Sequence, residues 1–265
     1  TKISLFIALP ILLGLTISML EGRISRLKGL ALMSLVFFLF NGGGGLPLYG
    51  GLLLALFIAF VFFGFIQLRK NGRHELKRLF FLVIGIAGSF VLANFYWILP
   101  MAVIILSSYK QNLLAIGGIS GVLAWSSEIS KYASYLNLFR LQGIPDWYEN
   151  PLNTYSNIFL TNPILILVSF IIPVVVFSSL FIVKRYPKYF KYVIYSSLLA
   201  LVAIIFTAGS HPPLGFIYDS FLAFVPGFAI FRTPFYKFAP ALWFAYSYLF
   251  SFSAYFLIKG LTKPK

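Results

Sequence analysis

The sequence predicts an all-α protein, a polytopic bundle of transmembrane helices with further interfacial or re-entrant helices in its outer loops. Three observations carry this prediction: 60% of the 265 residues are hydrophobic, only 10% are charged, and the apolar residues fall in long continuous runs. A soluble domain carries about 25% charged residues. Transmembrane β-barrels show alternating strands of roughly ten residues instead. Disordered segments are poor in aromatic residues, which make up 19% of this chain.

Seven apolar runs are candidates for membrane spans, since a spanning helix needs about 20 mostly apolar residues. Six of them approach or exceed this length, whereas the run 29–40 is short and is followed by the four glycines at 42–45, read as a flexible turn. A re-entrant segment is the alternative for that run. The predicted spans are 3–20, 29–40, 46–68, 79–106, 158–183, 192–208 and 238–258, all in a single transmembrane domain, 1–265.

The distribution of charge favours seven spans. The chain has 21 Lys and Arg against six Asp and Glu, a formal net charge of +15. With seven spans, 15 of the 21 cations lie on one face of the membrane, as the positive-inside rule requires. The positions of the charges therefore describe topology and argue against a nucleic-acid partner. They predict a multi-pass plasma-membrane protein whose C-terminus is cytoplasmic and whose N-terminal end is extracytoplasmic.

The beginning of the sequence is unusual for this topology. An apolar run starts at Ile3, and neither a charged segment nor a cleavage site precedes it, so it does not have the pattern of a signal peptide. We therefore expect that the sequence is part of a longer chain in which an odd number of spans precedes Thr1.

Two outer loops, 107–157 and 209–237, are the predicted functional regions, because loops of this length are usually functional. In the first, apolar residues recur at helical spacing over 127–141. This pattern predicts an amphipathic helix that lies in the outer interface or packs over the mouth of the bundle. In the second, 214–225 is apolar but too short to cross a core of about 30 Å, which predicts a re-entrant or interfacial helix that stops at Pro226-Gly227.

A basic and aromatic segment, from Phe231 to Phe238, leads into the last predicted span. A guanidinium held at the membrane boundary by proline and aromatic residues suits an anion, in particular a phosphate bound through two hydrogen bonds. Arg232 is therefore a candidate anion ligand. The alternative is that Arg232 extends toward lipid headgroups or pairs with Asp219.

Polar groups within the spans are few. Asn94 is expected to need an interhelical partner, and Pro100 removes a backbone hydrogen bond near the outer end of the same span. Packing between helices is the expected role of this stretch.

Several kinds of site are excluded by the residues present. The chain has no cysteine, so disulfides and thiolate metal sites are absent, and its two histidines, His74 and His211, cannot form a histidine-rich metal cage. Soluble-type catalytic motifs do not occur. Duplicated broken spans, which would indicate an inverted-repeat transporter, do not occur either.

The order of these features resembles the polyprenyl-phosphate-dependent membrane glycosyltransferases of the GT-C class, specifically the arabinofuranosyltransferase D and YfhO-like group. The resemblance runs from roughly residue 90 to residue 240, and its most specific part is the last element. The matching elements, in order, are Asn94–Pro100 followed by Ser107-Ser108-Tyr109, Asn137–Gly143 with Trp147, Asn162-Pro163, and Pro226-Gly227…Phe231-Arg232-x-Pro234…Lys237-Phe238.

The resemblance implies an enzyme that transfers a sugar from a polyprenyl-phosphate-linked donor to an extracytoplasmic glycan, glycolipid or protein acceptor. It establishes no cofactor and leaves a divalent metal open. The family places its catalytic acid in the first outer loop, which is expected to precede this segment. The candidates for holding the carrier phosphate are Arg232, Lys237, Arg140 and His211. The outer acids that remain as catalytic candidates, none at a family catalytic position, are Asp146, Glu149 and Asp219.

A non-enzymatic membrane bundle, such as a transporter-like protein or an anchoring subunit of a surface complex, is the second hypothesis. Lone acids or bases inside the spans would favour transport, and the predicted spans hold essentially none. A seven-helix receptor or retinal protein would need a lysine buried in the last span, and 238–258 contains none.

Overall fold

The computed structural model describes the backbone of residues 2–40, 49–115, 117–149 and 156–261. Side chains are described for 7–40, 49–103, 107, 117–148 and 156–259, and the glycine run at 42–45 lies outside the described residues. Most of the described backbone is helical and no strand occurs in it, which confirms the all-α fold class. The chain divides into two compact units, unit 1 (Thr1–Ile116) and unit 2 (Gly117–Lys265).

The described part of unit 1 contains long helices, with short turns between the first and the second and between the third and the fourth. Within it, α1 (Lys2–Leu20) and α4 (His74–Ala115) each lie along both α2 (Arg26–Leu39) and α3 (Gly50–Asn71). Glycine permits the close approach at two places: a Cβ on Gly29 would overlap the Met19 side chain, and one on Gly85 would lie 2.8 Å from Leu30 Cδ1. Small residues at such contacts are typical of packed membrane helices. The described helices are α1 (Lys2–Leu20), α2 (Arg26–Leu39), α3 (Gly50–Asn71) and α4 (His74–Ala115).

Two turns of unit 1 are connected through Arg78. Its guanidinium donates to the carbonyl oxygen of Met19 at 3.2 Å and pairs with Glu75 at 3.2 Å. The α1–α2 turn and the α3–α4 turn therefore lie together at one end of the unit. A second ion pair, between Arg23 and Glu21, lies in the same α1–α2 turn.

Unit 2 is built around α13 (Pro234–Leu261), which packs along α10 (Ile171–Ile182) and α11 (Phe190–Ala208). Small side chains make this packing close, since Ala200 and Ala203 of α11 and Ala241 and Ala245 of α13 are fully buried. Three 3-10 turns, Val183–Arg185, Pro187–Tyr189 and Phe228–Phe231, connect the helices. The helices are α5 (Gly118–Ile129), α6 (Tyr135–Phe139), α7 (Pro145–Glu149), α8 (Ile158–Thr161), α9 (Pro163–Ser169), α10 (Ile171–Ile182), α11 (Phe190–Ala208), α12 (Gly215–Phe224) and α13 (Pro234–Leu261).

Five helices among the described residues are long and apolar enough to cross a membrane. This confirms a multi-pass helical membrane protein. The first two predicted spans correspond to α1 and α2, and the 14 residues of α2 extend only roughly 21 Å at the helical rise. The total of seven spans therefore stays a prediction. The five spans are Gly50–Asn71, His74–Val103, Pro163–Arg185, Pro187–Ala208 and Pro234–Lys259.

The prediction of one amphipathic helix over 127–141 is wrong. The chain forms α5, a turn at 130–134, and then the short α6. Serine side chains explain the break, because they compete with helical backbone hydrogen bonds and favour helix ends. The Ser134 hydroxyl accepts from the backbone N–H of Asn137 at 3.2 Å and so caps α6.

Two predicted span boundaries also differ. The fourth helix continues to Ala115, because 107–115 contains good helix formers and no glycine or proline. The fifth span begins at Pro163 instead of 158. There the side-chain oxygen of Asn162 accepts hydrogen bonds from the backbone N–H groups of Ile164 and Leu165 and so caps the helix. Pro163 occupies the first helical position, where proline is favoured because its missing N–H would have no partner.

The expected interhelical partner of Asn94 is not observed. Its side-chain amide donates to the carbonyl oxygen of Phe90 at 2.9 Å, and its side-chain oxygen accepts from the Trp97 indole N–H at 2.8 Å. Both partners belong to α4, so the fully buried Asn94 is satisfied within its own helix.

Candidate functional site

The candidate site lies at the end of unit 2 formed by α5, α12 and the start of α13, which we call the capped end. Gly209, which ends α11, has a φ of 59°. A Cβ there would overlap Pro234 and would lie 2.7 Å from Ser130 Oγ. Only glycine combines this backbone conformation with such a close approach, so Gly209 brings the loop after α11 against α5 and α13.

A chain of hydrogen bonds ends on Asp219, one of the predicted catalytic candidates. The Ser210 hydroxyl donates to Asp219 Oδ1 at 2.6 Å, and the Ser126 and Ser210 hydroxyl oxygens are 2.7 Å apart. Because Ser210 has one hydroxyl proton and gives it to the carboxylate, Ser126 donates to Ser210. The backbone N–H of Ser210 donates to Ser130 Oγ at 3.3 Å. Asp219 therefore fastens α12 to α5 through the loop at Ser210.

Sequence reasoning did not identify Ser126, Ser130 or Ser210 as members of this site. Serine is common in loops and at helix ends, so its type carries no specific signal. The glycine before Ser210, in an otherwise apolar segment, was the only indication that this loop approaches another element closely.

The predicted phosphate ligand His211 lies half-buried beside Ser210. Its Nδ1 is 2.7 Å from the carbonyl oxygen of Pro212, and since a carbonyl can only accept, Nδ1 carries a proton. With the proton on Nδ1, Nε2 of the neutral ring is an acceptor. The edge of the ring meets Tyr135, with ring centroids 6.4 Å apart, and burial raises the pKa of the Tyr135 hydroxyl.

Arg140 lies in the interior of unit 2 and is only 3% exposed. Its guanidinium donates to the carbonyl oxygen of Phe159 at 3.2 Å, to Ser169 Oγ at 3.1 Å and to Asn137 Oδ1 at 2.6 Å. Burial lowers the pKa of the guanidinium. These bonds connect α6 to α8 and α9, which favours a structural role for Arg140 over the predicted role in phosphate binding.

Arg232 lies half-buried where the last 3-10 turn meets α13. The Tyr218 hydroxyl donates to the carbonyl oxygen of Phe231, and the rings of Phe231 and Phe238 are 5.5 Å apart, so the turn is held on both sides. Among the described residues, the Arg232 guanidinium has no hydrogen bond and no ion pair. The alternative that it pairs with Asp219 is therefore not observed, since that carboxylate accepts from Ser210 instead.

The remaining candidates lie near the start of α13 or outside the described side chains. Lys237 is in the first turn of α13, and the neighbouring Tyr236 hydroxyl accepts from the backbone N–H of Asp146 at 3.4 Å. The structure therefore brings the exposed Asp146 and α7 to the beginning of α13. The side chain of Glu149 lies outside the described residues. Within the described part of the chain, no group of three or more His, Asp or Glu could hold a metal ion.

An apolar groove with a volume of about 470 Å³ runs between α10 and α13. Leu141, which lines the groove, adopts a φ of 59° in the turn that ends α6, where the Gln142 N–H donates to the carbonyl oxygen of Asn137 at 2.8 Å. This is the bonding pattern of a Schellman motif, in which an α-helix ends at a residue in the left-handed conformation. The groove is lined by Leu141, Ile172, Val176, Trp243, Tyr246, Ser247, Phe250 and Ser251.

Comparison with family models, with curated proteins and with solved structures finds no match to this chain. The class of protein rests on the fold itself, a multi-pass α-helical membrane protein.

Proposed function

We propose that the protein is a membrane glycosyltransferase that moves a sugar from a polyprenyl-phosphate-linked donor to an extracytoplasmic glycan, glycolipid or protein acceptor. The proposal puts the capped end of unit 2 outside the cell, in agreement with the distribution of cations along the sequence. The observation that carries it is the half-buried Arg232 guanidinium at the start of α13, which has no partner among the described residues.

A half-buried cation without a partner is stabilised when an anion binds to it. Partial burial removes water from the guanidinium, and an anion that forms charge-assisted hydrogen bonds compensates for this loss. The planar guanidinium fits two oxygens of one phosphate. Phe231, which directly precedes Arg232, packs against Phe238 and accepts the Tyr218 hydroxyl at its carbonyl oxygen, so the backbone that carries the guanidinium is held in place.

The apolar groove supports a lipid as the carrier of this phosphate. Its first lining residue on α13 is Trp243, roughly 14 Å along the helix from Pro234 at the helical rise of about 1.5 Å per residue. With the phosphate bound at Arg232, the hydrocarbon chain of the lipid would extend along α13 toward the groove. An isoprenoid chain is apolar and flexible, and burying it against Trp243 and Phe250 is favourable.

The chemistry needs a leaving phosphate and a base. The acceptor hydroxyl oxygen forms a bond to the anomeric carbon, the bond from that carbon to the phosphate oxygen breaks, and the proton of the hydroxyl goes to a carboxylate. Arg232 would stabilise the negative charge on the departing polyprenyl phosphate. Asp219 and Asp146 are the candidate acceptors of the proton among the described side chains, and the base must come within about 3 Å of the hydroxyl.

Binding of a polyprenyl monophosphate to the purified protein in nanodiscs tests the proposal without knowledge of the sugar. Replacement of Arg232 by Ala should weaken binding about tenfold to a hundredfold, as expected for the loss of hydrogen bonds to a charged group. Arg232→Lys should recover part of the affinity. Lys131→Ala, which removes an exposed cation of unit 2 that pairs with Glu128, is the matched control.

Equal affinity of the Arg232→Ala variant and the wild-type chain would contradict the proposal. The second hypothesis, a membrane bundle without enzymatic activity, predicts that outcome. Transfer of radiolabelled sugar from a polyprenyl phosphate donor, lost in Arg232→Ala and retained in Lys131→Ala, would extend the result from binding to catalysis.

A further inference from the structure

The end of unit 2 opposite the capped end, which we call the basic end, concentrates positive charge. It consists of the two 3-10 turns between α10 and α11 and the last turns of α13. Neither 183–191 nor 252–261 contains Asp or Glu. The cations of the basic end are Lys184, Arg185, Lys188, Lys191 and Lys259.

A cluster of aromatic rings holds these turns against α13. The ring centroids of Tyr186 and Phe256 are 3.9 Å apart, and those of Tyr189 lie 5.8 Å from both Phe252 and Phe256. Aromatic pairs at such distances stabilise the contact beyond the area they bury. The turns between α10 and α11 are therefore fixed against the end of α13.

Three cations project from this aromatic cluster. Lys184, Arg185 and Lys188 are exposed, and none of them forms an ion pair with another described residue. The ammonium of Lys184 lies 5.9 Å from the centre of the Phe181 ring, and that of Lys188 lies 5.8 Å from the centre of the Tyr189 ring. Cation–π contacts restrict both side chains while leaving their charge accessible.

We propose that the basic end binds the phosphate groups of anionic phospholipids. The turns lie at the ends of membrane-spanning helices, which is the depth of lipid headgroups. Clusters of Lys and Arg next to a transmembrane helix attract anionic lipids electrostatically. The tyrosines of the cluster, each with an apolar body and a polar hydroxyl, suit the same interface.

The positive-inside rule alone does not account for this arrangement. Topology depends on the number of cations in a loop, whereas here they are assembled on a packed aromatic surface without acids. The corresponding turns of unit 1 differ, because Glu21 pairs with Arg23 and Glu75 pairs with Arg78. We therefore expect the basic end of unit 2 to select anionic lipid more strongly than the turns of unit 1 do.

The experiment measures which lipids the full chain retains after purification from vesicles of equal parts phosphatidylcholine and phosphatidylglycerol, by native mass spectrometry. In a triple variant, Lys184→Gln, Arg185→Gln and Lys188→Gln, the preference for phosphatidylglycerol should fall about tenfold or more, as expected from three lost surface cations. At constant total ionic strength, replacing chloride by inorganic phosphate should leave the phosphatidylglycerol bound to the wild-type chain in place.

The matched control removes an equal charge from exposed residues of unit 1, with Arg69→Gln, Lys70→Gln and Arg73→Gln. It should retain most of the preference. An equal loss in both triple variants would show that net charge alone sets the preference and would overturn the proposal, as would displacement of the lipid by inorganic phosphate.

A salt titration keeps the proposal testable if the triple variant inserts incorrectly. The preference of the wild-type chain for phosphatidylglycerol should decrease steadily as ionic strength rises, because salt screens exposed charges. A preference independent of salt would contradict an electrostatic headgroup site. The inference does not depend on the proposed glycosyltransferase activity, since the basic end and the capped end are separate parts of unit 2.

Discussion

Ser210 and Asp219, nine residues apart in sequence, are joined by a hydrogen bond of 2.6 Å from the serine hydroxyl to the carboxylate. This bond decides which cation at the capped end lacks a partner. Asp219 is the only acid between Asn150 and Lys265, and it is engaged with a neutral hydroxyl, while Arg232 has no partner among the described residues. The candidate anion site therefore depends on the loop that contains Ser210.

The first prediction concerns this bond. Asp219→Asn and Ser210→Ala should each destabilise the protein by about 1.5–2 kcal/mol, the lower part of the range for hydrogen bonds to charged groups, because the carboxylate is only half-buried. Thermal unfolding in detergent measures the effect. The double variant should lose less than the sum of the two single losses, since both remove the same interaction.

Ser220→Ala is the control for this pair. Its hydroxyl is exposed and donates to the carbonyl oxygen of Phe216 in its own helix, so its loss should change stability by less than about 0.5 kcal/mol. Strictly additive effects of Asp219→Asn and Ser210→Ala would show that the two side chains do not interact.

The second prediction concerns Gly209. Gly209→Ala should destabilise unit 2 by at least about 1–3 kcal/mol, because the new Cβ meets Ser130 and Pro234 and the left-handed conformation is strained for alanine. Gly118→Ala is the control, since Gly118 also has a positive φ, 68°, but has open space around it. Unfolding temperatures of the two variants should differ clearly, and equal values would argue against the close approach at Gly209.

The third prediction separates the two arginines of the proposed site. Arg140→Ala should destabilise the protein by about 2 kcal/mol or more, because three hydrogen bonds to a buried charged group are lost. Under conditions where the variant is folded, its affinity for polyprenyl monophosphate should remain within about twofold of the wild-type value, because Arg140 does not contact the phosphate in this account. A twofold change in affinity corresponds to less free energy than the loss of one ordinary hydrogen bond. A large loss of affinity in a folded Arg140→Ala protein would restore Arg140 as a phosphate ligand.

The fourth prediction follows from the partners of Asn94. Asn94→Leu should change the free energy of unfolding by less than about 1 kcal/mol, because its hydrogen bonds are made within α4 and removing such a polar group from a membrane helix is inexpensive. If Asn94 instead formed a hydrogen bond to a neighbouring helix, Asn94→Leu would weaken the association of the two helices. Unfolding in detergent and cross-linking between helices distinguish the two outcomes.

The fold class and the long helices could be predicted from the sequence because hydropathy reports the transfer of whole segments from water to lipid. The places where a helix is interrupted could not be predicted in this way. The turn between α5 and α6 depends on serine side chains that bond to nearby backbone groups, and a helical repeat of apolar residues does not reveal that competition. The same holds for Asn94, whose partners could have been on any neighbouring helix.

The candidate site was predicted in part. Proline and aromatic residues around Arg232 indicated a held guanidinium, and the structure has it half-buried at the start of α13. Which partner Asp219 takes depends on the three-dimensional position of Ser210, which the sequence does not contain. Arg140 shares its residue type with Arg232, and only the structure, through burial and three hydrogen bonds, distinguishes a structural cation from a candidate ligand.

The most direct test of the central claim is a cryo-electron microscopy structure of the full chain in nanodiscs with a polyprenyl monophosphate. The proposed function predicts density for the phosphate at hydrogen-bond distance from the Arg232 guanidinium, about 2.7–2.9 Å, with the hydrocarbon chain extending toward the groove at Trp243. Density for the lipid only elsewhere on the protein, with Arg232 unoccupied, would contradict it.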